Sequence, residues 1–347
     1  MFISELDEFS KWIEKRKGTD AMEHIPLTNL TSGQLYRGVW RVQNFIKTID
    51  RSGHPMARFD LSDQYGKIKA VFFEATENIL VDEQLCTPDG FAQVSFTFEN
   101  DPRYGQQAKV SGLKGIPLSM VEHPEELIPA IADRQKNYEA LIKAASGIQD
   151  EAYQSLVLHV LKTYEDILVD LPAAKSMHHD VLGGWCYHTL MMARTGAYLC
   201  RVYGKSLNYD LLLSGIILHD LGKMQEFVQG PSKLVSDYSV GGILLSHLIL
   251  GILLVEDIQK QMAAENQPVL DENKKLALYH IIESHHGKPE YGSAVMPKFT
   301  EAMVIHYLDQ IDAKIWMFNA AKQDVEPGKL SDEKIFGLEG RIWKPDF

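Results

Sequence analysis

Residues 211–227, LLLSGIILHDLGKMQEF, carry a row of Leu and Ile directly into His219 and Asp220, with Lys223 three positions further on. An unpaired carboxylate is costly to bury, so an acid closing an apolar helix calls for a cation, a hydrogen-bond network or a metal. Related residues recur at comparable places. His188 opens an amphipathic run, His247 interrupts an apolar one, His285 and His286 close another, and Asp309 lies inside VIHYLDQIDAKI. Nine of the thirteen histidines fall between residues 178 and 306, which by itself only directs attention to that region. Imidazole and carboxylate suit borderline divalent ions such as Mn²⁺, Fe²⁺, Co²⁺ or Zn²⁺, and the absence of cysteine from the set disfavours a structural zinc site. Taken alone, a histidine such as His247 on an apolar helix is more often a hydrogen-bonded core residue. Five segments each presenting His or Asp at an inner position favour a divalent-metal centre instead.

Two kinds of element must position these residues. Between about residues 28 and 120 the period is that of strands: Phe59 and Leu61 alternate with polar neighbours, as do Ile68, Ala70 and Phe72, and Asp63–Gly66 supplies the turn between them. FAQVSFTFEN (91–100) and QAKVSGLKGI (107–116) flank the turn DPRYGQ. Short strands joined by hairpin turns predict a small Greek-key barrel of the OB-fold kind. From residue 121 the apolar spacing becomes helical, over 123–146, 150–169, 185–203, 208–222, 241–265, 271–284 and 299–321. The expected organisation is an N-terminal extension (1–27), an OB-fold domain (28–120), an all-α helical bundle (121–325) and a C-terminal tail (326–347).

Charge and composition restrict the partners. The formal net charge of −12 argues against bulk attraction to nucleic acid or to an anionic membrane. Residues 30–120 are balanced, with 10 Lys/Arg against 10 Asp/Glu, whereas residues 121–347 carry 21 against 31, so the acidity lies where divalent cations would offset it. Cys86, Cys186 and Cys200 form no CxxC pair, which points to a reducing compartment, the cytoplasm by default. The first 18 residues lack the pattern of a secretory signal. GGILLSHLILGILLV (241–255) falls short of the roughly 20 residues that span a bilayer and reads as a buried core helix.

The order His188, His219-Asp220, Asp309 resembles the H…HD…D signature of the HD-domain phosphohydrolase superfamily. His247 with His285-His286 is similar to its two-metal branch, which includes the HD-GYP phosphodiesterases. Gly184 stands four before His188 in place of the glutamate some of those proteins use, and HHGKPEYGSAVMP (285–297) lacks the GYP triplet. A resemblance over nearly the whole chain is to the YhaM-type 3′-5′ exoribonucleases. It rests on an OB-like barrel followed by MHHDVLGGWCYHTLMMA (177–193), GIILHDLGK (215–223), LLSHLILG (244–251), SHHGKPEYGS (284–293) and HYLDQIDAK (306–314), and on the ending GRIWKPDF.

That resemblance, with the ligand chemistry, implies a first ion on His188, His219, Asp220 and Asp309, and a second on His247, His285 and His286 with Asp220 shared. Two such ions about 3.5 to 4 Å apart activate water and clamp phosphoryl oxygens in an in-line displacement. Mn²⁺ or Co²⁺ is expected ahead of Fe²⁺, Zn²⁺ or Mg²⁺. The implied activity is 3′-5′ hydrolysis of single-stranded RNA, with single-stranded DNA as a further substrate class, self-association left open and no membrane partner. The alternatives are a phosphohydrolase for nucleotides or cyclic dinucleotides, and a catalytically silent nucleic-acid-binding protein, against which the intact ligand set counts. Asp220 and Lys223 are the expected catalytic pair, Lys223 reaching a phosphate oxygen if its helix continues; otherwise Lys223 is a solvated residue at a helix end. His178 and His179 either touch substrate or cap the next helix. His306 and Asp312 read as helix-surface polarity and His280 as structural. On the barrel, Tyr36, Arg103 and Tyr104 are the expected strand contacts, and Trp40 and Phe72 its core.

Overall fold

The computed structural model describes residues 25–50, 52–73, 89–101 and 105–347. Contacts divide the chain into two compact units, Met1–Ala130 with Gln229–Ser236, and Ile131–Val228 with Asp237–Phe347.

The first unit is a closed barrel of β1 (Leu35–Ile49), β2 (Pro55–Ser62), β3 (Lys67–Phe73), β4 (Asp89–Asp101) and β5 (Gly105–Ile116), in the order β1-β2-β3-β5-β4. All pairings are antiparallel except β3 with β5, the arrangement of an OB-fold. β1, which no strand period singled out, serves two neighbours. Leu35–Gln43 pairs with β4, Arg41–Ile49 pairs with β2, and the register shifts between Gln43 and Ile46. Asn44 adopts φ 53° there, a bulge that bends the strand around the barrel corner and interrupts its alternation. Phe59, Leu61, Ile68, Ala70 and Phe72 point inward as the alternation predicts, and Trp40 meets Phe96 edge-on with centroids 5.0 Å apart. Tyr36 belongs to this core too. Its hydroxyl accepts from Thr31 N (2.7 Å) and donates to Gln34 Oε1 (3.1 Å), so it offers no stacking surface to a strand. Arg103 and Tyr104 lie outside the described residues.

The second unit is helical: α1 (Arg134–Ala145), α2 (Glu151–Thr163), α3 (Gly184–Tyr203), α4 (Tyr209–Leu218), α5 (Val240–Ala264), α6 (Glu272–Ser284) and α7 (Thr300–Ala321), with single turns at Pro124–Leu127, Glu165–Leu168 and Lys223–Glu226. Local chemistry sets several starts. The Asp150, Asn208, Ser239 and Asp271 side chains accept the first free N–H groups of α2, α4, α5 and α6, each cap contributing about 1 kcal/mol. The helix expected over 123–146 is broken, with Pro129 following its first turn and Asp133 at φ 54°. α4 is buried from Leu212 to Leu218 and packs against α2, α3, α6 and α7, which makes it the axis of the bundle.

α5 departs most from expectation. It has 25 residues, long and apolar enough by length and composition to cross a membrane, and less than half of its most apolar window is buried. Leu248, Leu254, Val255, Ile258 and Met262 enter the core, whereas Val240, Ile243 and Leu244 are exposed. It is kinked at Ser246 (φ 55°, ψ 167°), one residue before His247.

Candidate active site

Five pieces of chain deliver the site. His188 lies in the second turn of α3, His219 caps the end of α4, His247 follows the kink of α5, His285 caps the end of α6 with His286 next, and Asp309 sits in the third turn of α7. α4 stops at Leu218, so Asp220 and Lys223 are brought together by a tight turn in which Lys223 N–H donates to Asp220 O (3.1 Å). Gly222 permits that turn. A Cβ there would lie 2.0 Å from His247 O and 2.6 Å from Gly251 N, so only glycine lets the turn approach α5 this closely.

Each of these imidazoles is oriented in the same manner. Nδ1–H donates outward: His188 to Asp312 (2.7 Å), His219 to Ile216 O (2.7 Å), His247 to Glu226 (2.9 Å), His285 to Ile282 O (2.8 Å) and His286 to Tyr291 O (2.8 Å). Fixing Nδ1 this way leaves Nε2 as the free lone pair, the tautomer a metal ligand requires. The Nε2 atoms converge on carboxylates. His188 Nε2 is 3.3 Å from Asp309 Oδ1, and His219 Nε2 is 3.2 Å from Asp220 Oδ2. Asp220 Oδ1 faces the other set, 3.5 Å from His247 Nε2 and 3.6 Å from His285 Nε2. The ligand atoms of His188, His219 and Asp309, of His219, Asp220 and His285, and of His247, His285 and His286 lie within 4.8 Å of one another in each trio.

The donor set fits a divalent cation. His188 Nε2, His219 Nε2, His247 Nε2 and Asp220 Oδ1 are buried with no hydrogen-bond partner among the described residues, and each would be left unsatisfied at a cost of about 1 to 3 kcal/mol. Electrostatics agrees. Burial first, then the charge of His286, holds His285 down to about 3, and burial followed by His247 holds His286 down to about 4, so both are neutral at neutral pH. Burial opposes ionisation of Asp309 and Asp220 but is outweighed, by His188 for the first and by Lys223 and His219 for the second, leaving both well below the carboxylate range. His188 moves the other way. Burial lowers it, yet the charge of Asp309 beside Nε2 and the bond to Asp312 prevail and raise it to about 9 in the metal-free protein.

Neighbouring groups complete the centre. Lys223, itself buried, places Nζ 2.7 Å from Asp220 Oδ2 and is no solvated helix end. Asp312, read from the sequence as surface polarity, accepts from both His188 and His179 (2.8 Å) and belongs to the site. Glu226, which no local pattern singled out, receives both the backbone N–H (3.0 Å) and the ring N–H of His247. His306 donates to the backbone oxygen of His285 (2.8 Å), while His280 accepts from Lys298 N (2.9 Å) away from the centre. His179 is buried against Trp316, ring centroids 4.1 Å apart, and so is withdrawn from any strand. His178 lines the mouth of the site, a cavity of about 520 Å³ shared with Asp220, Lys223, His286, Tyr291, Asp309, Lys314 and Phe336.

The barrel carries a second concavity, of about 760 Å³. Its register aligns Ile46, Arg58, Val71 and Lys109 across four strands, with Lys69 and Phe73 further along β3. Asp60 and Asp50 on its border are engaged by Asn44 Nδ2 (2.8 Å) and by the N–H groups of Ser52 and His54. Lys109 pairs with Glu99 (2.6 Å); among the described residues Arg58 and Lys69 have no carboxylate partner.

A helical unit whose imidazoles and carboxylates converge in this way defines an HD-domain, divalent-metal-dependent phosphohydrolase, and residues 185–314 match the family model described as the HD domain. Over 320 residues the chain is 32% identical to the 3′-5′ exoribonuclease YhaM of Oceanobacillus iheyensis, covering 91% of this chain and 96% of that one. The YhaM proteins of Bacillus pumilus (33% over 308 residues, 88% and 93% covered) and Bacillus subtilis (32% over 310 residues, 88% and 93% covered) are similar to it in the same way. The chain belongs to the YhaM 3′-5′ exoribonuclease family.

Proposed function

We propose that this protein removes nucleotides from the 3′ end of single-stranded RNA, and of single-stranded DNA by the same contacts, at a centre built for two divalent ions. The observation that carries this reading is the convergence of the Nε2 atoms of His219, His247 and His285, each fixed through Nδ1, on the two oxygens of Asp220. His188, His219, Asp220 and Asp309 would hold one ion, and His247, His285 and His286 the other, with Asp220 shared. Mn²⁺ or Co²⁺ suits so imidazole-rich a set better than Mg²⁺. Bound there, the ions supply Lewis-acid stabilisation of the phosphoryl oxygens and activation of water at neutral pH.

The remaining steps fall to the chain. Lys223 Nζ, held by Asp220 and lining the cavity, donates to a non-bridging phosphate oxygen as charge accumulates there. His178, neutral because burial holds it down to about 3, adds an uncharged hydrogen bond at the mouth. The Arg58, Lys69 and Lys109 strip of the barrel holds the body of the strand by backbone charge and apolar contact.

Single strands labelled at the 5′ or the 3′ end test the reading. The expected products are a 5′-labelled ladder shortening from its 3′ end and prompt release of the 3′ label as a mononucleotide. Asp220→Ala should lose both metal uptake and turnover; full activity of that variant in chelator would sink the hydrolytic reading.

A further inference from the structure

The mouth of the HD site is closed on one side by the C-terminal tail. Ile335 pairs with Gly340, and the turn between them brings Gly337 against Met317 of α7 and against Met177. A Cβ at Gly337 would lie 2.5 Å from Met317 Cε and 2.8 Å from Met177 Cε, so the turn is seated on those two side chains. The tail is anchored beyond the turn as well: Ile342 and Ser331 are buried, and Ser331 N–H donates to Ile342 O (2.8 Å). A turn so firmly held nevertheless presents Phe336 with 85% of its surface exposed. Tyr291, fixed through its backbone oxygen by His286, lines the same cavity and is 54% exposed. Two large aromatic side chains are thus kept open to solvent at a metal centre by backbone that is itself anchored. Packing gives no reason for their size.

We propose that Phe336 and Tyr291 clasp the nucleobase at the 3′ end of the strand, so that the tail forms part of the substrate site. This rests on the RNA-hydrolysing reading above. Aromatic faces hold bases of any sequence by stacking, which suits an enzyme that advances one nucleotide at a time. Charge orients the nucleotide. Lys223 and Lys314 lie on the helical side of the cavity and favour the phosphate, while Glu339 beside the tail turn disfavours it there, leaving the tail side to the base.

The test uses the full chain in chelator, where no hydrolysis intervenes, with a short RNA carrying 2-aminopurine at its 3′ end; the same RNA labelled at its 5′ end is the control. Stacking quenches 2-aminopurine. The 3′-labelled strand is expected to be quenched by the wild-type protein and by Phe336→Trp but not by Phe336→Ala or Tyr291→Ala, and the 5′ label is expected to respond alike in all four. With metal restored, Phe336→Ala should raise KM for an RNA with an intact 3′ nucleotide on the order of tenfold at nearly constant kcat, and leave an RNA ending in an abasic ribose unaffected. Equal quenching by wild type and Phe336→Ala, or no 3′-specific quenching by the wild type, would overturn the clasp. Loss of quenching at the 5′ label as well would also overturn it, since a docked partner surface and not a base site would then be indicated. Quenching as expected, with no release of nucleotides under any divalent metal, would leave the clasp standing and remove the exonuclease reading.

Discussion

At the scale of residues, the carboxylates behind the imidazoles matter as much as the imidazoles. Asp312 binds His188 and His179 at once, and with burial opposing and those two bonds prevailing its own carboxyl is held down to about 2. The metal-free protein therefore keeps a proton on His188 up to about pH 9, above the ordinary histidine value near 6.5. The raised value means that the stability gained from protonated His188 is complete below about pH 6.5 and is lost as pH rises through about 9. A metal must displace that proton. Metal affinity is thus expected to climb between pH 6.5 and 9, with release of about one proton per protein from this residue at pH 7.5, read by titration calorimetry in buffers of different ionisation heat. Asp312→Asn removes the orientation and one of the two carboxylates that raise His188, leaving Asp309. Metal affinity should fall about 10- to 100-fold, and the proton release contributed by His188 should diminish in the calorimetric count. Lys223→Ala should retain metal binding and lower kcat on the order of 10²-fold; an unchanged kcat at saturating substrate would return Lys223 to a purely structural pairing with Asp220.

At the scale of elements, the site depends on two irregularities. Ser246 sits at φ 55°, ψ 167°, a region nearly restricted to glycine, and the break it makes in α5 frees the N–H of His247 for Glu226. Strain of this kind persists where surrounding contacts enforce it, here the two bonds to Glu226. Ser246→Gly should relieve it and raise the stability of the metal-free protein by about 1 kcal/mol, visible as a higher midpoint of thermal unfolding. Gly222→Ala should act in the opposite sense, because its Cβ would meet backbone atoms of α5 that cannot rotate away. A cost of about 3 kcal/mol or more is expected, with weakened metal binding, measured by denaturation and by metal titration.

At the scale of the whole molecule, the charge-balanced barrel and the acidic helical unit have separate tasks under the proposed function. If the strip around Arg58 and Lys69 holds the body of the strand, its contacts are the same in ground and transition states. Their loss then raises KM without touching kcat. The double variant Arg58→Ala, Lys69→Ala should raise KM for a strand of roughly 20 nucleotides about tenfold, flatten its dependence on salt by about 0.7 in logarithmic slope per phosphate contact, and leave a dinucleotide unaffected. An equal rise for both substrates would assign the barrel another role.

The sequence by itself determined the class of each unit and the residue types at the centre. Alternation of Phe59 and Leu61, and of Ile68, Ala70 and Phe72, specifies strands with one face inward, and helical spacing specifies the bundle, because both periods are local properties of the chain. His188, His219, Asp220, His247, His285, His286 and Asp309 were legible because polar residues inside apolar runs demand partners. Tertiary structure decided the rest. β1 was obscured because its bulge at Asn44 breaks alternation so that one strand can pair with two neighbours. Asp312 looks like surface polarity on α7 until α3 is packed beside it, and Glu226 has no meaning until α5 kinks to offer it His247. Tyr36 has the composition of a base-stacking residue, yet closure of the barrel turns it inward. Phe336 lies 27 residues beyond Asp309, the last of the metal residue types, and only the seating of the tail on Met177 and Met317 brings it to the site. Such juxtapositions depend on which surfaces meet once helices and strands are packed, and that information resides in no segment alone.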